Sequence, residues 1–311
     1  MGPRVIFMGT PQFAVPCLEA LAERYEIVAV VTRPDRPASR GRKLSAPAVK
    51  KAADALGLPV LQPESLRQEE VVARLRDLVP RAMVVAAYGR ILGREVLDIP
   101  PAGVINVHPS LLPKYRGASP IAGALLAGEE ETGVTIMLMD AGMDTGPILA
   151  QRAIEIRPED TTGSLEERLA SQGAELLVET LPLWLEGRID AQPQDEAIAT
   201  HTKLISKEDA VIDWTLPAVE LWHRVRAYNP RPGARTWWRG SLLKVLRARP
   251  EAGWEGKEKP GRVVDLQSRV AVVTGDGALF LDEVQLAGRR AMNTEAFVRG
   301  QSDFVGSLLG Q

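Results

Sequence analysis

GVINVHPSLLP, residues 103–113, begins as an apolar strand and ends in a loop bounded by prolines. Similar compact apolar runs occur at VIFMG (5–9), EIVAVVT (26–32), PVLQP (59–63) and AMVVAA (82–87). Helical patterns separate these runs, and buried strands that alternate with helices are typical of a parallel sheet covered on both faces. We therefore predict an α/β fold with a doubly wound parallel sheet for the first part of the chain.

The pattern changes near residue 205. The segment 186–205 is polar without a strong period, and we predict a connector there. From Gly261 onward, RVVDL, RVAVVTG and GALFLDEVQL are short alternating segments with glycine-containing turns. Such segments are typical of a small antiparallel β-barrel. We place the domain boundary so that the two domains cover residues 1–205 and 206–311.

Composition limits the class of protein. A chain of 311 residues that is 45% hydrophobic can build one large core and a smaller one. None of its apolar runs approaches the roughly 20 residues that cross a bilayer, so we expect no membrane partner. The single cysteine, Cys17, excludes an internal disulfide framework and indicates a reducing compartment. We expect a cytoplasmic protein, and a monomer because no seam of exposed apolar residues is evident.

Basic residues are concentrated in two stretches. Residues 222–249 contain eight basic residues and no acidic one, interleaved with aromatic residues, and residues 33–51 contain seven basic residues and one Asp. Two basic patches on a chain with a net charge of −2 fit a polyanionic partner that touches limited surfaces. A solvated basic face with structural tryptophans remains the alternative interpretation.

Two candidate catalytic residues lie toward the end of the strand that begins the segment 103–113. Alternate side chains of a strand share a face, so Asn106 and His108 project together. An amide and an imidazole at the carboxyl end of a parallel strand can both donate hydrogen bonds to a developing oxyanion. A hydrogen-bonded core Asn and a capping His are the alternative. Prolines fix the loop that follows, which suits a ligand clamp, and Pro113 is a candidate for a cis peptide bond.

A second polar loop, MDAGMDTGP (139–147), follows another predicted strand. Asp144 could orient His108 and move protons, although an Asp in such a loop can equally cap a turn. The histidines lie far apart in sequence and no metal-ligand spacing occurs, so we predict no metal site. FMGTPQFA (7–14) has one glycine where a dinucleotide-binding fingerprint needs three, which excludes NAD binding.

Taken together, these motifs resemble the folate-dependent formyltransferases. Asn106, His108 and Asp144 match the catalytic residues of that family, and SLLP (110–113) matches its folate-contacting loop. Within the family, the resemblance is greatest to members that act on methionyl-tRNA. It rests on FMGTPQFA (7–14), RPDRPASRGRKL (33–44), AAYGRIL (86–92), RAYNPRPGA (226–234) and AGRRAM (287–292), which span nearly the whole chain.

The resemblance implies a Rossmann-like formyltransferase domain, which binds 10-formyltetrahydrofolate as formyl donor, followed by an OB-like barrel that binds tRNA. The acceptor would be the free amine of initiator methionyl-tRNA. The implied folate contacts are Ser110, Leu111, Leu112, Pro113, Tyr88, Gly89 and Asp140. The loop at 33–44 would engage the tRNA acceptor end through Arg36, Arg40, Arg42 and Lys43.

Other functions stay open on sequence alone. The same catalytic residues would serve a formyltransferase acting on glycinamide ribonucleotide or an amino-sugar nucleotide, although the second domain and the loop at 33–44 argue against it. A non-catalytic RNA-binding protein would use the barrel alone. A formyltetrahydrofolate hydrolase would release formate and need no amine acceptor.

Overall fold

The computed structural model describes residues 2–37, 44–251, 253–254 and 256–310. The strands are β1 Arg4–Gly9, β2 Glu26–Val31, β3 Arg36–Pro37, β4 Leu44–Ser45, β5 Val60–Leu61, β6 Ala82–Ala86, β7 Val104–His108, β8 Arg116–Gly117, β9 Glu131–Leu138, β10 Ile148–Glu155, β11 His201–Thr202, β12 Arg235–Trp238, β13 Ser241–Glu251, β14 Val263–Leu266, β15 Arg269–Val273, β16 Ala278–Leu286 and β17 Met292–Asn293. The helices are α1 Val15–Ala22, α2 Ala48–Ala55, α3 Glu69–Asp77, α4 Arg94–Leu97, α5 Pro120–Leu126, α6 Thr162–Leu185, α7 Ala218–Tyr228 and α8 Thr294–Gly300. In these described ranges, no helix combines the length and the apolar character that a membrane crossing needs.

The chain divides into two compact units. The first comprises Met1–Pro120, Glu131–Glu155 and Glu166–Thr202, and the second comprises Ile121–Glu130, Ile156–Leu165 and Lys203–Gln311. The main changeover lies between residues 202 and 203, and two short earlier segments also belong to the second unit. The boundary after residue 205 stays a prediction, and it did not anticipate those two segments.

The first unit contains a seven-stranded sheet in the order β10-β9-β7-β6-β1-β2-β5. Strands β5, β2, β1, β6 and β7 are parallel, whereas β9 is antiparallel to both β7 and β10. A hairpin joins β9 to β10 directly, and strands joined without a crossover helix must run in opposite directions. The predicted α/β fold is confirmed, with this antiparallel edge as an addition.

The parallel strands bring their carboxyl ends to one edge of the sheet. Gly9 of β1 pairs with Ala86 of β6, and Val85 of β6 pairs with Asn106 of β7. The face of β7 that carries Val104, Asn106 and His108 adjoins a buried apolar cluster formed by residues from β1, β2, β6, α3 and α4. Alternation along β7 therefore places polar side chains at the end of a strand whose beginning is anchored in the core.

The second unit is built on an antiparallel sheet in the order β12-β13-β16-β15-β14, with β17 also paired to β16. Trp238 packs edge-on against Phe297 and Phe304, with ring centroids 5.7 and 5.4 Å away. Among the described residues β12 and β14 are not paired with each other, so the curled sheet is a partial barrel. The predicted small antiparallel β domain of OB-like type is confirmed in this form.

Candidate active site

The end of β7 carries two nearly buried polar side chains. Asn106 is 9% exposed and His108 is 4% exposed. The Asn106 side chain makes no hydrogen bond to any residue that the structure describes, and it is not sealed off from solvent. A nearly buried amide without a protein partner is available to a ligand, because burial without a compensating hydrogen bond is costly.

His108 contacts polar groups through both ring nitrogens. Its Nε2 lies 3.1 Å from the carbonyl oxygen of Tyr115, and its Nδ1 lies 3.6 Å from Oδ1 of Asp144. A carbonyl oxygen can only accept a hydrogen bond, so Nε2 carries the hydrogen. In the neutral ring Nδ1 then has no hydrogen and carries a lone pair. Burial lowers the pKa of His108 below its ordinary value, while Asp144 and the Tyr115 carbonyl act in the opposite direction. Near pH 7 the ring is therefore neutral.

Asp144 has a strained backbone conformation and is held by hydrogen bonds from a backbone amide and from a side chain. Its φ of 56° lies in the left-handed region, which is uncommon for a residue with a Cβ. Its Oδ2 accepts a 2.8 Å hydrogen bond from the amide of Gly117, and its carbonyl accepts one of 2.8 Å from the side chain of Gln194. These contacts fix the carboxylate that faces His108.

The SLLP turn is pinned from the neighbouring strands. Thr135 of β9 donates to the carbonyl of Ser110 at 2.6 Å and accepts from the amide of Leu112 at 3.1 Å. Gln151 of β10 donates to the Leu112 carbonyl at 2.8 Å. The side chains of Ser110, Leu112 and Pro113 are buried and that of Leu111 is half-buried, so the turn offers a ligand backbone rather than a polar side chain. The Leu112–Pro113 peptide bond is cis, as the sequence suggested.

Tyr88 and Gly89, predicted to contact folate, lie beside the carboxyl end of β6. Tyr88 is 1% exposed within the apolar cluster, and its carbonyl accepts a 3.0 Å hydrogen bond from the Thr10 hydroxyl. The carbonyl of Gly89 accepts from the Arg33 guanidinium, and a φ of 76° explains why glycine occupies this position. The backbone carbonyls of both residues are therefore engaged within the protein.

A cavity of about 460 Å³ opens beside the first residue of β7, Val104, and its lining does not include Asn106, His108 or Asp144. Its apolar walls include Leu97, Val104 and Met139. Asp140, another predicted folate contact, lines it too, and the Oδ1 of Asp140 accepts from Gly142 at 3.0 Å and Thr145 at 2.7 Å. No group of acidic, His or Cys side chains suited to a metal ion occurs in the part of the chain that the structure describes.

The predicted tRNA-contacting loop is described only at its ends. Arg36, in the short β3–β4 ribbon, is exposed. Arg40, Arg42 and Lys43 lie outside the described residues. Next to Arg36, Asp35 forms a 2.9 Å ion pair with Lys50 and accepts a hydrogen bond from Gln62, so the pKa of Asp35 lies below its ordinary value.

The basic run at 222–249 is partly neutralised in three dimensions. Within the described residues, three of its arginines pair with carboxylates outside the run: Arg224 with Glu220, Arg239 with Asp303 and Arg249 with Asp282. Arg226 is buried, and its guanidinium donates to the carbonyls of Asp160 and Arg157. Trp238 and Tyr228 belong to the core. The run is therefore less basic on the surface than along the chain.

Sequence reasoning missed a group of residues that hold the site together. The predicted connector at 186–205 is instead a strap over the loop that follows SLLP. Its residues Gln194, Glu196, Thr200 and Thr202 all contact residues 113–119. Arg116, which lies in that loop and contacts Gln194 and Glu196, is 1% exposed. Its place directly after the SLLP motif was a usable signal, whereas nothing in the polar strap marked Gln194.

Comparison with known proteins agrees with this geometry. The sequence profile described as Formyl transferase matches residues 3–181, and the profile of the formyl transferase C-terminal domain matches residues 204–302. The chain therefore belongs to the formyl transferase family, which confirms the resemblance and the prediction of an enzyme that transfers a formyl group.

Its relatives are named more specifically. The chain is 52% identical to the methionyl-tRNA formyltransferase of Roseiflexus castenholzii, with both proteins covered over 100% of their length. It is 53% identical to that of Chloroflexus aggregans, over 96% of this chain and 97% of the relative. Among solved structures, the sugar 3N-formyl transferase WlaRD, in the presence of dTDP and 5-N-formyl-THF, shares the fold with a TM-score of 0.67. That match has 18% identity and covers 93% of this chain and 100% of the other.

Proposed function

We propose that this enzyme transfers the formyl group of 10-formyltetrahydrofolate to the free amine of initiator methionyl-tRNA. The observation that carries the proposal is the contact of His108 with Asp144 at the end of β7, the strand that also carries Asn106 two residues earlier. The full-length relatives named as methionyl-tRNA formyltransferases favour tRNA over a small amine as acceptor. Such an enzyme would work in the cytoplasm, and we expect a monomer.

In the proposed reaction the amine nitrogen attacks the formyl carbon. A free α-amine has a pKa of roughly 7.7–8.0, so a usable fraction is neutral near pH 7. Attack forms a tetrahedral intermediate whose oxygen is negative, and Asn106 donates a hydrogen bond to that oxygen. The unpartnered state of the Asn106 amide supports this role, because a donor already engaged by the protein would first have to break a bond.

The tautomer of His108 decides its role. With Nε2–H on the Tyr115 carbonyl, Nδ1 of the neutral ring accepts the proton that the attacking amine loses. The resulting imidazolium is stabilised by Asp144, and its Nδ1–H can then donate to the oxyanion or pass the proton to N10 of the folate as the carbon–nitrogen bond breaks. His108 therefore becomes an oxyanion donor only after it has acted as a base, a refinement of the role expected from sequence.

In this proposal the cavity beside the start of β7 takes the planar end of the folate. Leu97, Val104 and Met139 offer an apolar slot. Two exposed apolar side chains, Ile91 at 82% and Met143 at 60%, follow β6 and precede Asp144 along the chain. Exposed side chains of this size in loops that adjoin the site suit the aromatic body of a folate. The SLLP turn would supply backbone contacts.

Two surfaces are suited to the tRNA. The first is the loop at 33–44, through Arg36 and the predicted contacts Arg40, Arg42 and Lys43. The second is the β12–β13 pair, where Arg235 lies opposite Lys244 and Trp237 follows on the same face, all three half-buried. Cations contact phosphates, and the accessible edge of an indole can contact a base.

The test is a comparison of acceptors. The protein is incubated with 10-formyltetrahydrofolate and initiator methionyl-tRNA, a methionyl elongator tRNA, glycinamide ribonucleotide, an amino-sugar nucleotide, or no acceptor. We expect formyl-methionine with the initiator tRNA and little with the elongator. Formate release without an acceptor would indicate a hydrolase, transfer to either small amine would indicate the rival acceptor class, and RNA binding without transfer would indicate a non-catalytic protein.

A further inference from the structure

Residues 115–117 contact both members of the His108–Asp144 pair. The carbonyl of Tyr115 accepts from His108, and the amide of Gly117 donates to the carboxylate of Asp144. Between them, the side chain of Arg116 points away from solvent. A small shift of this tripeptide would move the imidazole and the carboxylate relative to each other.

The guanidinium of Arg116 is shared between two residues of the strap. It donates to both carboxylate oxygens of Glu196, at 2.9 and 2.7 Å. Its Nε and Nη2 also donate to Oε1 of Gln194, at 3.0 and 2.9 Å. Glu196, followed by Asp140 and Asp144, raises the pKa of Arg116 above its ordinary value. This side chain therefore stays charged while it is buried.

Arg116 determines which way the Gln194 amide faces. Arginine has only donors, so the oxygen of the amide must point at it. The amide nitrogen then points the other way, and it donates to the carbonyls of Asp144 at 2.8 Å and Gly146 at 2.7 Å. A flipped amide would set N–H groups against the guanidinium and an oxygen against two carbonyls.

The strap also anchors the tripeptide itself. Strands β8 and β11 pair in parallel, with Arg116 opposite His201. The amide of Arg116 donates to the carbonyl of Thr200 at 2.9 Å, and the hydroxyl of Thr202 donates to the Arg116 carbonyl at 3.0 Å. The strap thus holds residues 115–117 from one side and the Asp144 loop, through Gln194, from the other.

We propose that Gln194, oriented by Arg116, is a positioning residue that sets the Asp144 carboxylate against Nδ1 of His108. The assignment rests on the proposed function for its kinetic consequence, but not for its structural one. Strained backbone persists only where its surroundings hold it, and the left-handed conformation of Asp144 has its carbonyl tied to Gln194. Without this bond the carboxylate would drift from the imidazole.

Two substitutions test the proposal. Gln194→Met removes every hydrogen bond of the amide at similar length. Gln194→Glu keeps an acceptor for Arg116, and so keeps the strap folded, but sets an oxygen against the Asp144 and Gly146 carbonyls. Gln192→Met is the matched control, since its exposed side chain makes no hydrogen bond within the described ranges.

For each variant, kcat and the KM values of both substrates are measured with 10-formyltetrahydrofolate and initiator methionyl-tRNA. The pKa of the His108 imidazole is followed separately by NMR, assigned with a His108→Asn spectrum. The chain has 3 histidines, which makes assignment practical. In both Gln194 variants we expect kcat to fall roughly 10- to 100-fold at nearly unchanged KM. In Gln194→Met the His108 pKa should fall as well, because the carboxylate that raises it has moved and no new charge replaces it.

Either a wild-type kcat or a wild-type His108 pKa in the Gln194→Met variant, which adds no charge, overturns the proposal. A lower thermal midpoint with an unchanged pKa would likewise overturn it, because Gln194 would then be merely structural. If the wild-type protein transfers no formyl group, the proposed function fails. The His108 titration still decides the positioning role in that case.

Discussion

Nε2 of His108 lies 3.1 Å from the carbonyl oxygen of Tyr115, and this contact leaves Nδ1 as the nitrogen available for proton transfer. Asp144 faces that same nitrogen at 3.6 Å, a separation too long for a hydrogen bond. While Nδ1 carries only a lone pair, there is no proton between it and the Asp144 carboxylate, so the two groups form no hydrogen bond. The contact becomes favourable once Nδ1 gains a proton, which is the step that the proposed reaction requires.

The first prediction concerns the charge of Asp144. Asp144→Asn should lower turnover by about 10²–10⁴-fold, because the protonated His108 loses its counter-charge. The pKa of His108 should fall further below its ordinary value for the same reason. Asp190→Asn makes the same change at an exposed carboxylate of the first unit, and it should leave both quantities unchanged. A His108 pKa that is the same in Asp144→Asn as in the wild type would contradict this account.

The second prediction concerns stability against pH. Burial lowers the folded pKa of His108 below that of the unfolded chain, so unfolded molecules bind the proton first as the pH falls. The stabilisation is thus complete above the unfolded pKa, about 6.5, and is lost as the pH falls toward the folded pKa. His223 has a pKa lowered chiefly by burial and adds to the trend.

The contribution of His108 to this pH dependence is obtained by comparing the wild type with a variant that lacks the imidazole. Urea unfolding of the wild type and of His108→Asn should be compared between about pH 7.5 and about pH 5.5. The wild type should lose more stability than the variant over this interval. Equal losses would mean that the folded and unfolded pKa values of His108 are the same.

The third prediction separates the two substrates by their salt dependence. Each phosphate that a cation neutralises contributes about −0.7 to −0.9 to the slope of log K against log salt. The affinity for methionyl-tRNA should therefore fall steeply with ionic strength, while the affinity for the folate changes little. Filter binding for the tRNA and fluorescence titration for the folate measure the two slopes. Equal slopes would remove the argument for phosphate contacts.

The fourth prediction distinguishes paired from unpaired arginines in the run at 222–249. Arg231 is exposed and forms no ion pair with the residues described, whereas Arg249 donates to both oxygens of Asp282. Arg231→Gln should weaken tRNA binding and reduce the salt slope by about 1. Arg249→Gln should have the smaller effect, since its charge is already neutralised. The reverse order would place the tRNA on a different face.

The fold was largely predictable because its signals are local. Apolar runs such as AMVVAA predicted β6, and alternation in GVINVH correctly placed Asn106 and His108 on one face. The partners of polar side chains were not predictable in this way. The hydroxyl of Thr10, for example, donates to the carbonyl of Tyr88, 78 residues away. A side chain with several possible partners is assigned by the tertiary fold rather than by its neighbours in sequence.

The residues that hold the site in place were not predictable, because their partners also lie far away in the sequence. Gln194 contacts Arg116 across 78 residues and the Asp144 carbonyl across 50. A polar segment without periodicity looks like a connector whether or not its side chains reach back to a catalytic loop. The basic run was misleading in the same manner, since Arg249 meets its carboxylate 33 residues later in the chain.

The most direct test of the proposed chemistry is the turnover of Asn106→Ala with saturating 10-formyltetrahydrofolate and methionyl-tRNA. Loss of an oxyanion donor should lower turnover by about 10²–10³-fold. The thermal midpoint and the KM for the folate should stay near those of the wild type, because the amide has no protein partner to lose. Turnover within about twofold of the wild type would contradict the central claim that Asn106 stabilises the transition state.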